Sequence, residues 1–113
     1  MLKRAFRAVK AALKWSKGYD QAAAGLHRDG IESLRAVYLI LGLAKGDKKA
    51  PYDLNLLLGS VLVKVGHYCE AIRIISIADM QIENTSPLSE CEKQYLRHIW
   101  ISAIRTYGSL LSN

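Results

Sequence analysis

Apolar residues recur along this chain at helical and not at strand spacing. Leu2, Phe6, Val9 and Leu13 stand at i, i+4, i+7 and i+11, a narrow stripe that predicts a helix over residues 1–17. Gly18 predicts a break, and Asp20 an N-cap for a short second helix through Ala22, Ala23, Ala24 and Leu26 that Gly30 ends. Asp29 with Glu32 resembles a capping box for a third helix, Ile31 to Lys45. That helix carries Leu34, Val37, Tyr38, Leu41 and Ala44 on one face and Leu39, Ile40 and Leu43 on another, so it is expected between two neighbours. Lys45-Gly46 reads as its end, residues 45–51 as a polar connector, and Pro51 as the start of the next helix.

The most apolar stretch, Leu54 to Ala78, predicts two helices, about Asp53 to Val65 and Tyr68 to Ile82, joined by a tight turn at Gly66. Gly59, Ala71 and Ala78 are small where those helices must approach closely. After the loop Asn84-Thr85-Ser86-Pro87, Ser89 with Glu92 caps a final helix from about Glu90 to Tyr107, with Cys91, Tyr95, Ile99, Ala103 and Tyr107 on one face. The expected class is all-α.

Length and charge narrow this further. At 113 residues the chain holds one domain, and its net charge of +6 is unevenly placed. Lys3, Arg4, Arg7, Lys10, Lys14 and Lys17 precede the first acid, Asp20, after which ten Lys/Arg balance ten Asp/Glu. A generally basic nucleic-acid-binding body is therefore disfavoured. Two readings of the N-terminal helix stay open. In one, its stripe rests on an anionic membrane surface or an acidic partner, cations outward; in the other, the stripe packs on the domain and the basic face is solvated. An import presequence shares the basic, acid-free composition. No uninterrupted apolar run makes a signal peptide or a membrane span, and Cys69 and Cys91 make no disulfide framework, so a cytoplasmic, reducing setting is expected.

Leu58-Gly59, Gly66-x-Tyr68, Ala71-Ile72 and Ala78 resemble one tetratricopeptide repeat. The resemblance covers about twenty-five residues and implies a stack of about five to six antiparallel helices, with residues 1–17 as a basic amphipathic N-terminal helix and 18–113 as a single tetratricopeptide-like domain. Gly30 precedes Gly66 by about one repeat length, which suggests a degenerate upstream repeat. Carried over from the family, the groove-facing positions are Asp53, Leu56, Ser60, Val63 and Lys64. An apolar groove of that kind suits the amphipathic helix of a partner protein. Asn55 departs from the pattern, which has a large apolar residue there. Size and architecture are similar to the small tetratricopeptide-like chaperones of bacterial type III secretion, which hold needle subunits before export. The implied function is a chaperone or adaptor, with homo- or hetero-oligomers allowed.

Other candidate chemistry is weak. His27-Arg28-Asp29 spells a kinase catalytic-loop tripeptide without the loops and lysine that accompany it. His67, Cys69, Cys91 and His98 match no zinc spacing, and both cysteines fall where helices are expected to bury them. The expectation is a protein that is not an enzyme and holds no metal or cofactor.

Overall fold

The computed structural model describes residues 2–84, with side chains from Ala5 onward, together with Cys91, Gln94 and His98. The described residues form four helices: α1 (Leu2–Ala23), α2 (His27–Leu41), α3 (Tyr52–Lys64) and α4 (Tyr68–Asn84). They pack as two helical hairpins, α1 with α2 and α3 with α4, joined through the α2–α3 contact. The other expected helix, Glu90 to Tyr107, lies outside the described residues except at Cys91, Gln94 and His98, which are helical and exposed.

Each hairpin is closed by the same device. Gly25 and Gly66 both take left-handed φ, 84° and 86°. The amide of Leu26 donates to the Gln21 carbonyl and that of Gly25 to Ala22; His67 donates to Leu62 and Gly66 to Val63 in the same pattern. These are Schellman motifs, which satisfy the last carbonyls of a helix and need a residue without Cβ strain at the turn. A shift of 41 positions carries Gly25 onto Gly66.

The same shift carries the inter-helix packing across. A Cβ at Gly18 would stand 2.9 Å from Leu34 and 3.2 Å from the Gly30 carbonyl; a Cβ at Gly59 would collide with Ile75 and stand 3.4 Å from the Ala71 carbonyl. Gly18, Gly30 and Leu34 thus play the parts of Gly59, Ala71 and Ile75. This corrects the expected register: Gly66 answers to Gly25 and not to Gly30. The connector from Gly42 to Pro51 lengthens the spacing between hairpins beyond that of a compact repeat.

It also corrects the first helices. α1 runs through Gly18 without a break, because Gly18 is where α2 comes closest. A helical glycine costs roughly 1 kcal/mol against alanine, which close packing offsets here. α1 buries the face of Ala11, Trp15, Gly18 and Ala22, at i, i+4, i+7 and i+11, against α2. Asp29 lies in the first turn of α2 and is no N-cap; Leu26 holds that position. α2 ends at Leu41, four residues before the expected end, because Gly42 closes a further Schellman turn with Leu43 donating to Tyr38. It lies between α1 and α3 as expected, with Ile31, Leu34, Val37 and Tyr38 buried and Ile40 and Leu43 half-buried against the core; of the second apolar face only Leu39 is exposed. The core of Leu34, Val37, Tyr38, Leu54, Leu58, Val61, Leu62, Ala71 and Ile74 joins both hairpins.

A buried polar hub holds the connector. Asn55, fully buried, accepts from the Tyr38 hydroxyl at 2.6 Å and donates to the Asp47 carbonyl at 3.1 Å and Gln81 Oε1 at 2.9 Å. Gln81 in turn donates to the Lys48 and Ala50 carbonyls at 2.9 and 2.6 Å. This accounts for the departure at Asn55: an apolar residue there would remove the donor to the Asp47 carbonyl and the partners of the Tyr38 hydroxyl and Gln81 Oε1. A Lys45–Glu70 ion pair ties the connector to α4, and its hydrogen bond holds the Glu70 carboxyl below the ordinary range.

Burial pushes the Tyr38 phenol well above its ordinary pKa of about 10. The unfolded chain therefore loses this proton first as pH rises, and stability is full below pH ~10 and falls above it. In alkaline titrations of unfolding, Tyr38→Phe is expected to flatten that fall; an unchanged slope would contradict the assigned burial of the hydroxyl.

Candidate functional site

The first helices of the two hairpins, α1 and α3, leave an apolar cavity of about 230 Å³ between them. α3 supplies Leu57, Ser60, Val61 and Lys64, at i, i+3, i+4 and i+7, one continuous stripe. The C-terminal end of α1 supplies Tyr19, Ala22 and Ala23, and His27 opens α2 beside them. The alanines keep the α1 wall low, which leaves room for side chains from outside.

Polar groups are few. Ser60 Oγ donates to the Leu56 carbonyl at 2.8 Å, so the hydroxyl is committed to its own helix. His27 Nδ1 is buried without a hydrogen-bond partner. Lys64 is exposed at the rim, where its ammonium can meet an acidic group on an occupant.

The structure divides the five groove positions expected from sequence. Ser60 and Lys64 line this cavity. Leu56 is 7% exposed and packs with Ile75, Ala78 and the half-buried Val63 on the α4 side. Asp53 is exposed in the first turn of α3 and does not line the cavity. Sequence reasoning missed Leu57 and Val61, one position round the helix from Leu56 and Ser60. From Leu54 to Val63 only Asn55, Gly59 and Ser60 interrupt the apolar run of α3, so periodicity marks no single face.

A larger recess of about 500 Å³ lies between the connector and the end of α4, near Lys48, Lys49, Tyr52, Ile77 and Met80. Gln81 borders it, and its amide is engaged by the connector.

The basic surface is distributed along α1. Arg7, Lys10 and Lys17 are exposed and Lys14 is half-buried; the side chains of Lys3 and Arg4 lie outside the described residues. The expected stripe does not pack on the domain: Phe6, Val9 and Leu13 are 73%, 59% and 67% exposed. The opposite face of α1 makes the hairpin contact. Cys69 and Cys91 are exposed, not buried as expected. Among the described residues no cluster of three or more His, Cys, Asp or Glu is placed to hold a metal ion, and no helix is long and apolar enough to cross a membrane. Comparison with known proteins finds no matching family model, curated protein or solved structure.

Proposed function

We propose that this chain is a non-enzymatic protein-binding module, a small chaperone or adaptor that holds an amphipathic helix of a partner between α1 and α3. The observation that carries the reading is the open apolar cavity between the first helices of two equivalent hairpins. Its size suits two or three apolar side chains from one helix face and not a whole helix buried on all sides. The partner's apolar i, i+3/i+4, i+7 residues would enter beside Leu57 and Val61, with an acidic residue beside Lys64. Covering that face would keep the partner from assembling through it. The tetratricopeptide-like reading of Leu58-Gly59, Gly66-x-Tyr68 and Ala71-Ile72 supports this choice of groove, since first helices line the binding face in that family. The likeness to secretion chaperones supplies the concrete form, a secretion-apparatus subunit as the partner.

Fluorescence anisotropy with labelled amphipathic helical peptides tests the proposal. Peptides with an apolar stripe and an acidic rim should bind, and Leu57→Glu should weaken them at least about tenfold, since a buried unpaired charge costs well over 1.4 kcal/mol. Equal binding by wild type and Leu57→Glu would remove the groove from the account.

A further inference from the structure

A second surface on α1 is separate from that groove. α1 has 22 residues against 15 in α2, so its N-terminal third runs past its partner. Every side chain from Ala5 to Lys10 is accordingly exposed. Within this projecting part and the turn after it, Phe6, Val9 and Leu13 form one exposed apolar stripe. Lys10 and Lys17 lie directly beside it, with Arg7 and the half-buried Lys14 further round on the same side, and Ala5, Ala8 and Ala12 form the flank on the other side. The face that packs on α2, Ala11, Trp15 and Gly18, is on the opposite side of the helix. The body of the protein therefore stands away from the stripe.

We infer that α1 is an in-plane docking helix for an anionic lipid bilayer: Phe6, Val9 and Leu13 enter the headgroup–acyl boundary while Arg7, Lys10, Lys14 and Lys17 meet lipid phosphates and carboxylates. Two features select this occupant. The first is charge: α1 carries no acid before Asp20, so its complement is a densely negative surface. That also disfavours a second copy, since pairing two α1 stripes would bring two cationic flanks together. The second is shape. The stripe is convex, with the domain behind it, and fits a broad deformable surface better than the groove of a folded protein. No described helix can cross a bilayer, so α1 lies on the membrane and does not span it.

The test is co-sedimentation of the full chain with vesicles of phosphatidylcholine alone or mixed with phosphatidylserine, at low and high salt. The expected result is binding to the mixed vesicles only, weakened by salt. A cation near the surface is worth roughly fivefold in partitioning, so the double variant Lys10→Glu, Lys17→Glu, at two exposed positions, should lose more than about twenty-fivefold. Leu13→Ser with Phe6→Ser should abolish binding with unchanged far-ultraviolet circular dichroism, because both residues are exposed in the fold. Three results would each overturn the inference. One is absence of binding to the mixed vesicles. Another is polyglutamate binding as tight as vesicle binding and indifferent to Leu13→Ser, which would assign the flank to an acidic protein. The third is a dimer in sedimentation equilibrium that Leu13→Ser dissociates, without vesicle binding.

Discussion

Replacing Gly59 with alanine is expected to destabilise the protein by about 2–3 kcal/mol, against the roughly 1 kcal/mol that alanine gains as a helix former. The added methyl would meet Ile75, which is 1% exposed and held by Leu56 and Ala78, with the Ala71 carbonyl 3.4 Å away. The side chain has nowhere to turn, so α3 and α4 must separate and the core between them opens. The clash is specific enough to be checked by its partner. Ile75→Ala removes the atoms that collide, so the double variant should be more stable than the sum of the two single losses predicts. Urea unfolding of the four chains measures this coupling, and strict additivity would mean that Gly59 is not packed against Ile75. The equivalent substitution Gly18→Ala should be milder, since its Cβ would meet Leu34 at 2.9 Å and α1 is the more exposed helix.

The second large effect is at Asn55. Asn55→Leu is expected to cost about 3 kcal/mol, since it strands the Tyr38 hydroxyl, the Asp47 carbonyl and Gln81 Oε1 at roughly 1 kcal/mol or more each. The repeat pattern alone predicts the reverse sign, because a large apolar residue belongs at that position. Thermal or urea unfolding therefore separates the two accounts directly: a neutral or stabilising leucine would show that the hub does not hold the connector. Asn55→Asp should be damaging as well, because a carboxylate cannot donate to the Asp47 carbonyl and would be buried beside it.

These residues show what the sequence could reveal. The α3–α4 hairpin is legible because each device has one reading: Gly66 at a turn, Gly59 and Ala71 at a crossing, Pro51 at a start. The expected ranges for its helices differ from the observed ones by no more than two residues. The α1–α2 hairpin uses the same devices but is harder to read, because three glycines compete. Gly18 and Gly30 look like helix breakers, yet both are close-approach points inside helices, and only Gly25 is the turn. Local propensity cannot tell a glycine needed for φ from one needed for space; the 41-residue equivalence of the two hairpins does. The same ambiguity affected the site. On a helix as apolar as α3, the choice between the Leu56–Val63 face and the Leu57–Val61 face is made by where α1 and α4 sit, which is tertiary information. Phe6, Val9 and Leu13 are legible as one stripe, but whether it packs inward depends on the opposite face of Ala11, Trp15, Gly18 and Ala22, where Trp15 is the one large apolar residue among small ones.

The proposed activity thus rests on a groove that both hairpins build and that neither would have alone. Site-specific photo-crosslinking in the native host tests this most directly, with the reactive side chain placed at Ala23 on the α1 wall or, as a comparison, at Glu32 on the outer face of α2. The account predicts a discrete protein adduct from Ala23, absent from Glu32 and lost when Leu57→Glu is added. Adducts of equal yield from both positions, or an Ala23 adduct that survives Leu57→Glu, would contradict it.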